Sequence, residues 1–164
     1  MLILAIDPGM AGAAGLMDRS TGEVLDGRDL TGIAVLDAQT IKELLDQRGE
    51  REIVAVIEKS QAMPGQGCVS MFNYGITNGI LFGILAVHSV RTHLVSASKW
   101  KSDMGLRREK EERQVDWKRR SLDTARRLFP KTDLRLQKHH NRAEALLLAE
   151  WARRFLFADP KEKK

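Results

Sequence analysis

Apolar and polar positions follow two rhythms along the chain, and the rhythm changes at glycine, proline and clustered polar residues. Leu2 to Ile6 is an unbroken apolar run, which predicts a strand buried on both faces. Ile53-Val-Ala-Val-Ile57 is a second such run, rich in β-branched residues. Shorter strands are expected at 13–18, 23–30 and near 92–95, the first two joined by a hairpin turn over Asp18 to Gly22. Helical spacing takes over from Leu36 to Arg48, where Leu36, Ile41, Leu44 and Leu45 share a face and Gly49 ends the run. Ser70 to His88 reads as a longer helix carrying Gly75, Gly79 and Gly83 at four-residue intervals. Such a stripe opens a groove where another backbone approaches closely, against the sheet or in a dimer; Asn73 and Asn78 argue against a membrane helix. A helix start is expected at 96–101. Ser121 to Phe129 reads as helix up to Pro130, and the last helix runs from about 141 to 157 with Asn141 as its N-cap. Three meandering strands, a helix, a strand, a helix and a strand predict an α/β fold, a mixed five-stranded sheet flanked by helices. It forms one domain over 1–158, and 159–164 reads as a disordered tail.

The carboxylates fall where this pattern makes them conspicuous. Asp7 closes the first apolar run just before Pro8-Gly9, and Glu58 closes the second before a turn-rich stretch. Ligands of open α/β sheets bind at the carboxyl ends of strands, and a carboxylate there is costly without a cation or hydrogen-bond partner. Two neighbouring strands that each deliver an acid suggest a metal ion held between them. Hard ions such as Mg²⁺ take oxygen ligands, commonly one or two carboxylates plus phosphate. A third acid, Glu144, precedes Leu146-Leu-Leu-Ala149, with His140 four residues upstream. On one helix the two share a face. The plainer readings are a turn-capping Asp7 and a Glu144 that complements the helix dipole.

Composition narrows the field. Cys68 is alone, which excludes a disulfide framework and a cysteine zinc site and suggests a buried or incidental thiol. No apolar run is expected to reach the length of a membrane span, and the chain opens directly into a strand, so a cytoplasmic location is expected. Net charge is +5 overall but uneven: residues 1–90 carry 6 basic against 11 acidic residues, and residues 91–164 carry 21 against 11. An acidic half beside a basic one suggests a metal pocket next to a surface for a polyanion such as nucleic acid. The dense charge at 107–120 reads otherwise as a solvated helix face or a mobile loop.

In this order the pieces resemble the RuvC-type Holliday-junction resolvases, compact bacteriophage or bacterial proteins of the ribonuclease H-like superfamily. Ile6-Asp7-Pro8-Gly9 with Gly12 and Gly15 resembles the family's first-strand motif, and Ile57-Glu58 its second acidic motif. Ser70 to Gly83, then Ser98-Lys99-Trp100-Lys101, then Lys118 to Pro130 and Arg142-Ala-Glu144-Ala-Leu146 follow in family order. The resemblance covers nearly the whole chain. It implies a homodimer that nicks opposed strands of a four-way DNA junction, using Mg²⁺ or Mn²⁺, two ions per site, and no small-molecule cofactor. Asp7, Glu58 and Glu144 would hold the metal, with Lys118 beside the scissile phosphate. Phe72 or Tyr74 would stack on an unpaired base, and Lys99, Lys101, Arg107, Arg108, Lys110, Arg119 and Arg120 are expected to contact phosphates. The family carries a further acid three or four residues before the one matching Glu144; here Asn141 and His140 stand there, so His140 becomes a candidate ligand or proton carrier. The competing readings are a related nuclease acting on other branched DNA or RNA–DNA hybrids, a junction-binding protein weakened in catalysis, and a kinase of the actin-like superfamily, for which the chain is too short. A bacterial or phage-infected cell fits best, and an organellar matrix is also compatible.

Overall fold

The two long apolar runs lie side by side at the middle of one sheet. The structure is a computed structural model describing residues 1–9, 12–59, 65 and 67–158. Strands β1 (Leu2–Asp7), β2 (Ala13–Asp18) and β3 (Val24–Asp29) form an antiparallel meander, while β4 (Ile53–Lys59) and β5 (Arg91–Ser96) are parallel to β1. The order is β3-β2-β1-β4-β5, the expected mixed five-stranded sheet. Residues Leu2 to Ile6 and Ile53 to Val56 are buried at both pleat positions, as their unbroken apolar runs require.

Period-two alternation sorts the core into two layers. Leu2, Leu4 and Ile6 with Ile53, Ala55 and Ile57 face helices α1 (Ala34–Asp46) and α2 (Cys68–Val87). Ile3 and Ala5 with Val54 and Val56 face the other way, onto α3 (Ala97–Asp103), α4 (Gln114–Leu128) and α5 (His140–Trp151). The α5 helix crosses β1 and β2 closely because Gly15 has no side chain: a Cβ there would stand 2.7 Å from Leu146 Cδ2. A Cβ at Gly12 would strike the Asp7 carbonyl oxygen, so the turn that follows the first acid also depends on glycine.

Several boundaries differ from expectation. The last helix starts at His140, no side chain caps it, and Asn141 lies inside its first turn. Its expected last turns are a separate π-helical segment, Ala152–Leu156. Cys68 is exposed at the start of α2 rather than buried. By length and composition α2 could cross a membrane, contrary to the expectation that no apolar run reaches that length. Its buried row Thr77, Leu81 and Leu85 docks it on the rest of the fold. The glycines lie two residues off that row, about 200° around the helix, and a Cβ on Gly75, Gly79 or Gly83 would meet nothing within 4 Å. The stripe therefore does not serve packing against the sheet. The expected tail 159–164 lies outside the described residues, as do residues 60–64 of the turn after β4.

Candidate active site

Strand register fixes the first two acids. Ile6 pairs with Ile57 in the parallel β1–β4 ladder, so Asp7 and Glu58 follow at the same level. Both belong to the alternation phase that faces the α3–α5 layer. There Glu144 is buried, one turn along α5 from His140, and an interior helix acid of this kind is not a solvated complement to the helix dipole.

Negative charge in this pocket is only partly relieved. The Asp7 carboxyl is pushed up from 3.8 to about 7, first by burial and then by repulsion from Glu58 and Glu144, against the pull of Lys101 and Lys118. Glu58 accepts a hydrogen bond from Trp100 Nε1 at 2.7 Å, which orients one of its oxygens. Glu144 Oε2 accepts from Lys101 Nζ at 2.9 Å, and the same ammonium lies 4.0 Å from Glu58 Oε2. On the flank Lys118 Nζ is 3.1 Å from His140 Nε2, while His140 Nδ1 meets the Gln137 carbonyl at 3.2 Å. With Nδ1 donating to that carbonyl, Nε2 is left as the acceptor toward Lys118. Among the described residues no three His, Cys, Asp or Glu side chains stand close enough to hold a metal ion as they are.

The expected phosphate contacts divide sharply. Lys101 is not at the surface; its side chain is 9% exposed, between the acids and the rings of Trp100 and Trp117. Arg120 is spent internally, on Glu112 at 2.8 Å and on the carbonyls of Gly105 and Arg107. With Arg108 donating to the Glu112 carbonyl, it organises 105–112 into a turned segment ahead of α4 rather than a helix face. Lys99 is paired with Asp103. Arg107, Lys110 and Arg119 are exposed. Arg119 also lines a groove of about 580 Å³ that runs from Lys118 and His140 past Arg126 and Arg135. Phe72 is 70% exposed on α2. Tyr74 points to a smaller cavity beside Gly9 and Asn73, and its buried hydroxyl has no partner among the described residues.

Sequence reasoning placed Lys101 among surface charges because its acidic partners lie 43 residues either way along the chain. The adjoining Trp100, at the start of a short helix, is the local signal of an inward-facing side.

No protein-family model matches the chain. Over 124 residues, 73% of its length, it is 34% identical to "Holliday junction resolvase MOC1, chloroplastic" of Chlamydomonas reinhardtii. It spans only 13% of that protein's length. RuvC of Thermus thermophilus in complex with a Holliday junction substrate superposes with a TM-score of 0.63 at 14% identity, covering 94% of this chain and 96% of that one. A second RuvC structure from the same organism gives 0.63 and 14%, covering 98% and 99%. The chain therefore has the ribonuclease H-like fold of RuvC, and the resemblance read from its motifs is met in both sequence and fold.

Proposed function

We propose that this chain, built on the RuvC fold, is a structure-specific DNA endonuclease of the RuvC type that nicks four-way junctions with the help of a divalent metal. The observation that carries the reading is the excess of negative charge around Asp7. Two carboxylates from separate elements, Glu58 and Glu144, flank Asp7, whose proton is held to about pH 7. Such a set fits a hard cation, and an ammonium already stands in for one. Asp7, Glu58 and Glu144 are the oxygen donors for Mg²⁺ or Mn²⁺, and His140 Nε2 is the nitrogen donor on the same α5 face.

When bound, the metal supplies an activated water and charge neutralisation at the phosphate undergoing in-line displacement. The chain's own residues do the rest. Trp100 fixes one oxygen of Glu58 and with it the plane of the carboxylate. The Gln137 carbonyl holds the His140 ring in one tautomer. Lys118 keeps a positive charge at the mouth of the pocket, where charge develops on the phosphate. The basic groove lined by Arg119, Arg126 and Arg135 continues from that point and suits the backbone of the strand being cut.

Symmetric nicking needs two sites related by a two-fold axis. The outward face of α2, with Gly75, Gly79, Gly83 and exposed Phe72, Ile76 and Phe82, is the surface for a second copy. Gly79→Leu then gives a monomer in sedimentation that binds DNA without making paired nicks; a dimer would reject this assignment of the interface. The nuclease unit is residues 1–158, working wherever branched DNA arises, in a bacterial or phage-infected cytoplasm or an organellar matrix.

The test is cleavage of a synthetic four-way junction beside a flap, an RNA–DNA hybrid and a linear duplex, with Mg²⁺ or Mn²⁺, wild type against Asp7→Asn. Paired nicks in the junction alone, lost in Asp7→Asn, are expected. Preference for the hybrid or flap would move the substrate class. Tight junction binding with no cutting by either ion would make the chain a binding protein.

A further inference from the structure

Lys101 is the one lysine or arginine buried among the described residues. A buried ammonium is costly unless paired. Its Nζ is 2.9 Å from Glu144 Oε2, 4.0 Å from Glu58 Oε2, 4.5 Å from the centroid of the Trp117 ring and 5.1 Å from that of Trp100. Two of the three carboxylates assigned to a metal are thus already engaged with a cation of the protein's own. The donor side chains that suit a divalent ion do not close on one another as they stand; an ammonium lies between two of them.

Resting on the metal-dependent reading above, we propose that Lys101 is a displaceable internal counter-ion. It holds the acid cluster together in the metal-free protein and gives up Glu144 when a divalent cation binds. The two indole rings provide the displaced ammonium with somewhere to go, since a lysine over an aromatic face keeps favourable electrostatics without the carboxylate. A lysine suits this task and an arginine does not. The ammonium is a compact point charge on a flexible stem, whereas a guanidinium forms a two-pronged grip on a carboxylate. The residue therefore weakens cation binding while it protects the empty site, and its movement couples metal arrival to the environment of Trp100 and Trp117.

The experiment uses the full chain without DNA, titrated with Mg²⁺ and followed by calorimetry and tryptophan fluorescence. Wild type is expected to bind with a saturable change in indole emission. Lys101→Met is expected to bind about tenfold more tightly or better, the usual scale for removing a charge within a few ångströms, with the emission change lost. Lys101→Arg keeps the charge and grips harder, so it binds more weakly than wild type; it and Lys101→Gln carry the comparison should the methionine variant not fold. Equal affinity across these proteins, or wild-type binding that leaves the indoles unchanged, overturns this proposal alone. Wild type that binds neither Mg²⁺ nor Mn²⁺ overturns it together with the metal-dependent function.

Discussion

The pocket at the ends of β1 and β4 and the arginine-rich helix α4 both crowd charge into a small space, and they dispose of it in opposite ways. Along α4 and its flanks most charges have found a partner in solvent: Arg113 with Asp116, Arg126 with Asp123 and Arg135 with Asp133. Their acids are pulled down accordingly, Asp116 below the usual range by hydrogen bonds from Arg113, and Asp133 to about 2 by Arg135. In the pocket the shift runs the other way, with Asp7 driven up to about 7 by burial and by its acidic neighbours. Solvated pairs of the first kind contribute about 0–1 kcal/mol each, so their arginines can exchange a carboxylate for a phosphate at little cost. In a desolvated cluster where lysine offsets only part of the negative charge, strain remains until a further cation arrives, which makes it the place to look for chemistry. Charge density alone does not mark a site; unrelieved charge does.

The largest test neutralises one acid on each side. Glu144→Gln should slow single-turnover junction nicking by about 10²–10³-fold at saturating Mg²⁺, the scale for losing one group that stabilises charge in the transition state. Asp116→Asn, in the relieved cluster, should leave the rate within about twofold. Similar losses in the two variants would erase the distinction. The second test reads the strain directly. The Asp7 carboxyl titrates near 3.8 unfolded and near 7 folded, so the folded protein holds the extra proton between those values. Stability therefore falls as pH rises through that window, and the whole penalty stands above about pH 7. In EDTA, Asp7→Asn should be more stable than wild type at pH 8 by about 2 kcal/mol, roughly half the full linkage value because Asp7 keeps some contact with solvent. The gain should vanish by about pH 4, and a gain independent of pH would show that Asp7 carries no such strain.

The sheet and its two acids were readable because a buried strand leaves an unbroken apolar run, and a carboxylate at its end interrupts that run visibly. Parallel register then does what sequence cannot, bringing residues 7 and 58 level. Glu144 was visible only as a helix acid, since placing the cap at Asn141 left its relation to His140 open; the helix in fact begins at His140. Lys101 and Arg120 were misread as surface charges for one shared reason. A sequence shows that a residue is charged, but partners that neutralise or bury it come from other elements, here Glu144 for one and the Gly105–Glu112 turn for the other. The glycine stripe was read as a close-approach surface, against the sheet or in a dimer, and only the structure shows that it faces away from the core.

The smallest effects come from two adjacent arginines that sequence alone treats as equals. Arg120 binds Glu112 and two backbone carbonyls with its side chain one-third exposed, so Arg120→Ala should lower unfolding stability by about 1–3 kcal/mol. It should leave the salt dependence of junction binding unchanged. Arg119 is 73% exposed, with Asp123 no nearer than 4.0 Å, and lies on the groove that leads from Lys118. Arg119→Ala should change stability by less than about 0.5 kcal/mol, as surface substitutions do. Its effect belongs in the slope of log affinity against log salt, which should become shallower by about one for a lost phosphate contact. Chemical denaturation and a salt series of junction binding on both variants separate the two roles. A slope change in Arg120→Ala, or none in Arg119→Ala, would mean that the path of the DNA runs along the Gly105–Glu112 turn and not along the α4 groove.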